Sequence, residues 1–221
     1  MARPRSAPER PSIDPVDLRD LGPGDAAALV ADADLEGLAF DGVSTDVVDL
    51  AHARLYESRL SGLRADQVDL GNATLVGCVV ERADVPVVRG VRGSWRDVTV
   101  RNARLGSAEL YESTWRGVDV ADCRLGYINL RGATLDDLRF TDCVIDELDL
   151  VGATATRVAF HGVRVRRLDV QGSTLRHVDL RGAAIEELSG LGSLAGATIS
   201  PEQLADLAPA LAAHLGITVV G

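Results

Sequence analysis

Over residues 121 to 160 apolar side chains recur at every fifth position: Leu125, Leu130, Leu135, Phe140, Ile145, Leu150 and Phe160, with Ala155 in the remaining place. A second series runs two residues ahead of the first, through Cys123, Ile128, Ala133, Leu138, Cys143, Leu148, Ala153 and Val158. Neither a helix, with a period of about 3.6, nor a strand, with a period of about 2, generates this spacing. The ruler takes hold at Ala33, and its central positions run from Leu35 and Phe40 to Leu180 and Ile185, 31 units without an insertion or deletion.

The units match a short consensus of Ala, then Asp or Asn, then Leu, then two variable residues. Ala33-Asp34-Leu35, Ala103-Arg104-Leu105, Ala133-Thr134-Leu135, Val68-Asp69-Leu70, Leu148-Asp149-Leu150 and Val178-Asp179-Leu180 are clear instances. On these residues the chain resembles the pentapeptide-repeat proteins over residues 33–188. The resemblance implies an all-β solenoid: a right-handed quadrilateral β-helix with four units per coil and one unit on each side, closed by a short N-terminal cap and a C-terminal α-helix. A period of 20 supports four-unit coils independently. Sorted by 20, the leading inward series has one small side (Ala33, Ala53, Ala73, Gly93, Ser113, Ala133) and, next to it, a mostly bulkier one (Leu38, Ser58, Cys78, Val98, Val118, Leu138, Val158). Two bulkier sides then face each other, as do two smaller ones, which close packing at constant cross-section requires. Gly recurs two residues after many centres, as at Gly42, Gly62, Gly132, Gly152 and Gly182, where corners that need positive φ would use it.

Four stretches depart from the pattern. Residues 1–15 hold four prolines and little apolar matter and read as a disordered tail. Residues 16–32 read as an N-terminal cap with a short helix capped by Asp25. The 84–95 segment, with Pro86, Arg89, Gly90, Arg92 and Gly93, keeps its phase but has Gly90 at a central position and Gly93 at the inward position after it. A distorted coil or a projecting loop is expected there, with Trp95 filling space. After Leu188 the pattern dissolves, and residues 189–221 read as a cap ending in a helix with Ser200 as N-cap, Pro201 at N1, Gln203 at N3 and Gly216 beyond its end. Leu204, Leu207, Leu211 and Leu215 share a face of that helix, which serves as a cap or as a cap and a homodimer interface. Pro209 is expected to kink it.

Composition narrows the function. Aromatic residues are 4% of the chain against 46% hydrophobic residues, in keeping with a narrow core that has little room for rings. The net charge of −10 argues against direct nucleic-acid binding, which needs a surplus of cations. The first residues, with Arg3 and Arg5 followed by Pro, Ser and Glu and no apolar run, are expected to be neither a signal peptide nor a membrane span. Three Cys at inward positions fit a reducing cytoplasm. Four His, at 52, 161, 177 and 214, occur without HxxxH, CxxC or HExxH spacing, so no metal, cofactor or catalytic residue is expected.

Charge is the informative outer feature. The positions just before the centres of one side form the series Asp49, Asp69, Arg89, Glu109, Asn129, Asp149 and Asp169, with Glu112 beside it. Asp or Asn there can bond the local backbone. A line of carboxylates can also imitate the regular phosphates of duplex DNA. The family resemblance extends to members that mimic DNA, bind DNA gyrase and protect it from quinolones, and so implies a protein partner such as gyrase; a scaffolding rod for an unrelated protein is the other reading. Along the chain the sign alternates: residues 31–81 carry −7, 82–104 carry +4, 105–150 carry −6 and 151–181 carry +4, which suggests salt bridges between neighbouring coils or a mixed-charge partner surface.

Overall fold

The computed structural model describes residues 7–220. The chain winds into a right-handed quadrilateral β-solenoid whose strands pair in parallel with partners 20 residues away, as in Leu55↔Leu75 and Ile128↔Leu148. We number the sides by their central residues: the first carries Leu35 and Leu55, the second Phe40 and Leu60, the third Thr45 and Ala65, the fourth Leu50 and Leu70. A 13-stranded sheet forms the first and second sides, and an 8-stranded sheet the third and fourth. With about 4.8 Å between strands, nearly eight coils give a rod of roughly 37 Å. Both inward series point into one continuous core. Leu130, Leu148 and Leu180 are fully or almost fully buried, as are the small residues Ala53, Ala73 and Ala153.

Three of the four corners turn through a left-handed residue. Glycine fills some of these places, but Glu57, Arg157 and His177 stand at the first corner, Arg82 and Asp142 at the second, and His52, Arg92 and Glu112 at the last, all with positive φ. The corner between the third and fourth sides, at Val87, Ser107 and Tyr127, needs no such residue. Gly182 departs from the corner expectation: its φ is not positive, and a Cβ there would stand 1.9 Å from the carbonyl oxygen of Phe160. Glycine is required at that point because two backbones touch.

The 84–95 segment forms no projecting loop and no distorted coil. Strands Asp84–Arg89 and Ser94–Arg101 keep full register with the coils on either side. Gly90 and Gly93 instead make room inside. A Cβ on Gly90 would meet Leu110, and one on Gly93 would press on the Trp95 indole nitrogen. Trp95 stacks on Trp115 with centroids 4.6 Å apart, so the indoles occupy space that the neighbouring residues vacate. Filling is incomplete: an apolar cavity of about 90 Å³ remains in the core between Leu50 and Phe140. It lies where Val80, Val100 and Val120 stand on the second side in place of the Phe found at positions 40, 140 and 160.

The ends are closed differently. At the N-terminal end Gly22–Pro23 adds a strand beside Leu38 and Ala39, and Gly24 lets the backbone cross the Phe40 ring, which a Cβ would strike. The expected short helix is one 3₁₀ turn, Ala26–Ala28, capped by the Asp25 carboxylate. At the other end Ala197–Thr198 pairs with Val178–Asp179, and helix Pro201–His214 follows, continuing across Pro209. Its capping box is formed, with Ser200 Oγ accepting from Gln203 N–H and Gln203 Oε1 accepting from Ser200 N–H. The expected tail over residues 1–15 lies partly outside the described residues, at 1–6. Residues 7–15 have no regular secondary structure, yet they lie against the rod and do not hang free: Ser12 N–H donates to Asp137 Oδ1 at 2.8 Å.

Candidate functional site

The acidic series is a physical column. Asp49 is in register with Asp69, Glu109 with Asn129, and Asp149 with Asp169 on the fourth side. Parallel pairing at a 20-residue register stacks these outward positions about one strand spacing apart, roughly 4.8 Å. Most rungs also serve the corner beside them. Asp49, Asp69, Asp149 and Asp169 each accept, through Oδ1, the N–H two residues on, and Asn129 does the same. A side chain that bonds its own backbone at i+2 stabilises the turn that leaves the strand.

Asp149 does not belong to the exposed ladder. It is only 2% exposed, and its second oxygen is held by Arg131 Nε at 2.6 Å and by the Tyr127 hydroxyl at 3.3 Å. Burial and the neighbouring Asp149 charge push the Tyr127 phenol up from its ordinary pKa. Among the ladder residues Asp49, Glu109 and Glu112 are exposed, and Asp69 and Asp169 are half-buried. Arg89 interrupts the column, paired in register with Asp69 and Glu109.

Ion pairs join neighbouring coils, most of them across the boundaries of the charge bands. Arg101 reaches Glu81, Arg139 reaches Asp119, Arg157 reaches Asp137, and Arg167 bridges Glu147 and Glu187. Arg139 and Asp119 pair through two hydrogen bonds of 2.9 Å each. These pairs concentrate on the second side and its corner, with Arg167 between the third and fourth. Arg64, Arg104, Arg124 and Arg164 behave differently. They stand on the third side, all exposed, with Arg104 in register with Arg124, Asp84 between Arg64 and Arg104, and Val144 between Arg124 and Arg164; among the described residues none of the four has a carboxylate within salt-bridge distance. The same 20-residue period that aligns the fourth-side acids places these four arginines on the third side, so their alignment is legible in the sequence.

The residues expected to form a loop are placed on two sides. Pro86 and Arg89 lie within one strand of the third and fourth sides, and Gly90, Arg92 and Gly93 turn the corner into the first, where Arg92 approaches Glu112 at 3.8 Å. On the C-terminal helix no residue is fully buried. Leu204 is 51% exposed, and Leu215, the C-cap, 71%, while Leu207 and Leu211 are half-buried. The helix is fastened by a polar anchor that the hydrophobic pattern does not reveal: Gln203 Nε2 donates to the carbonyls of Leu180 and Ala183, each at 2.8 Å.

Among the described residues no group of three or more His, Cys, Asp or Glu side chains is arranged to hold a metal ion, and no helix is long and apolar enough to cross a membrane. Cys78, Cys123 and Cys143 are free and buried.

No family model matches the chain, and no curated protein does. Solved structures do. Full-length QnrB1, described as a plasmid-mediated fluoroquinolone resistance protein, is 17% identical with a TM-score of 0.33, over 81% of this chain and 99% of that one. A trypsin-treated form of QnrB1 is 15% identical with a TM-score of 0.31, over 90% and 96%. HetL, a pentapeptide-repeat protein involved in heterocyst differentiation regulation in the cyanobacterium Nostoc, is 17% identical with a TM-score of 0.23, over 75% and 89%. The five-residue ruler, the 20-residue register and the four-sided core together make this a pentapeptide-repeat β-solenoid fold.

Proposed function

We propose that the protein is a non-catalytic protein-interaction rod that acts as a DNA mimic on DNA gyrase and lowers the enzyme's sensitivity to quinolones. The observation that carries this reading is the stacked column of Asp49, Asp69, Glu109 and Asp169, with Glu112 beside it. Rungs of this column stand about 4.8 Å apart, close to the charge spacing of a DNA strand, one per roughly 3.4 Å of axis. Asp49, Asp69, Glu109 and Asp169 place carboxylates on four of the column's seven rungs, interrupted by Arg89, Asn129 and the paired Asp149. In this reading residues 33–188 are the interacting body, 16–32 close one end, and 189–221 close the other and dimerise. The rod would meet gyrase in the cytoplasm, where its three thiols stay reduced.

Supercoiling by purified gyrase, with and without a quinolone, tests it. Micromolar rod should inhibit supercoiling or relieve the quinolone. The triple variant Asp49→Asn, Asp69→Asn, Glu109→Gln should lose that effect while melting like the parent, because Asn keeps the carbonyl that caps each corner and removes only the charge. No effect of the parent rod would sink the gyrase reading.

A scaffolding rod for an unrelated protein is the second reading, favoured by the local backbone bonds of the Asp rungs, which give those residues a use without any partner. Recovery of a reproducible partner other than a topoisomerase from the native host would favour it. For the C-terminal helix we propose a homodimer in which Leu204, Leu207, Leu211 and Leu215 meet across a two-fold axis. Light scattering should return twice the chain mass, falling to one chain for Leu204→Glu with Leu215→Glu; a monomeric parent would remove the proposal.

A further inference from the structure

The second side of the rod is covered by the chain's own N-terminal segment. Residues 7–19 run lengthwise over it, from the eighth coil, where Glu9 N–H donates to His177 Nδ1 at 3.2 Å, past the sixth, where Ser12 N–H reaches Asp137, to Gly22 beside Leu38 in the first. That is seven coils, about 34 Å at strand spacing. The thirteen steps from Glu9 to Gly22 span about 43–47 Å when fully extended, so the segment is held largely extended. Pro8, Pro11 and Pro15 favour that conformation before any contact is made.

We propose that the second side is a docking surface for an extended peptide, and that residues 7–19 occupy it as an exchangeable internal ligand. Val79 and Ala159 stand one residue before their centres and point away from the core, yet each is only 4% exposed, and neither belongs to the continuous core. Val144, at the same place in its unit on the uncovered third side, is 38% exposed. The second side therefore presents small apolar residues under a cover. Its polar anchor is built without help from the cover: Arg157 donates through Nε and Nη2 to both oxygens of Asp137, at 2.7 and 2.8 Å, fixing the carboxylate that receives Ser12 N–H.

The cover fits loosely. A pocket of about 210 Å³ remains between Ile13, Asp14, Pro15 and Val16 above and Val79, Thr99 and Arg139 below, and no residue from 7 to 19 is fully buried. A segment held by a few hydrogen bonds and half-buried aliphatic contacts exchanges readily. A competing peptide would need the same chemistry: an extended, proline-punctuated backbone, a free N–H opposite Asp137, and aliphatic side chains at the places of Ile13 and Val16. The open pocket has room for larger ones.

The full-length chain tests this with a labelled synthetic peptide of residues 7–19 as probe. The double variant Ser12→Pro, Ile13→Asp spoils the internal ligand and leaves the side intact. It should bind the peptide saturably and about tenfold more tightly than the parent, whose own segment competes at millimolar effective concentration. Adding Val79→Arg, which sets a long charged side chain on the floor of the side, should abolish that binding. In the ¹⁵N-labelled parent, excess unlabelled peptide should speed exchange of the Ser12 amide proton several-fold. The proposal is overturned by a folded double variant that binds no peptide, by equal binding to parent and variant, or by Ser12 exchange that the peptide leaves unchanged.

Discussion

Leu130 sits on the fourth side between Leu110 and Leu150, and its N–H donates to the backbone carbonyl of Asp149 in the next coil at 2.8 Å. It is fully buried, and no cation lies inside the core to receive a charge. Leu130→Asp removes a buried aliphatic side chain and introduces a carboxylate without a partner, a change of more than about 4 kcal/mol. The variant should lack a cooperative thermal transition in circular dichroism; parent-like melting would show that Leu130 does not face the core. Glu57 illustrates the opposite condition. It holds a φ of 44° and makes no salt bridge among the described residues, so it bears the left-handed cost with little in return. Glu57→Gly should raise stability by about 0.5–1 kcal/mol, the left-handed cost less the extra entropy that glycine loses. A thermal melt reads this as a modest rise in Tm.

The C-terminal helix depends on Gln203 to a degree that its Leu pattern conceals. One side-chain amide completes the capping box through its oxygen and ties the helix to the carbonyls of Leu180 and Ala183 through its nitrogen. Gln203→Ala leaves those acceptors and the Ser200 N–H without that partner, at a cost of about 1–3 kcal/mol. Hydrogen exchange should show the helix opening before the coils, with exchange in the central coils unchanged. The five-residue ruler and the capping motif of this helix are legible in the sequence because both arise from contacts close in sequence or from strict repetition. Gln203's second task is not legible, because its acceptors lie 20 and 23 residues back and carbonyls carry no sequence signature.

Across the whole molecule the acidic balance is partly neutralised by contacts between coils. The Arg157 hydrogen bonds, with the Ser12 N–H, outweigh burial and hold the Asp137 carboxyl below its ordinary value of 3.8; Arg181 does the same for Asp179. A folded pKa below the unfolded one gives stability that is fully present above the unfolded value and lost as pH falls through the folded one. The melting temperature should therefore hold steady down to about pH 5 and fall below about pH 4. Asp137→Asn should lower the neutral-pH value and flatten part of the acid decline, whereas an acid limb identical to the parent's would exclude Asp137 as a contributor.

The sequence by itself determined the coil. A five-residue period repeated without interruption fixes which residues point inward, and a 20-residue alternation of small and large fixes how many units close a turn, because packing at constant cross-section allows little else. The tertiary structure decided everything that depends on residues brought together without repetition. It turned the 84–95 irregularity inward, where missing side chains admit a pair of indoles. It withdrew Asp149 from the acidic column by giving it Arg131 and Tyr127, and it left Arg64, Arg104, Arg124 and Arg164 open on the third side. It also laid residues 7–19 along the second side. That last contact joins residues as much as 168 positions apart, and a single weakly apolar, proline-rich segment has no period from which its resting place can be read.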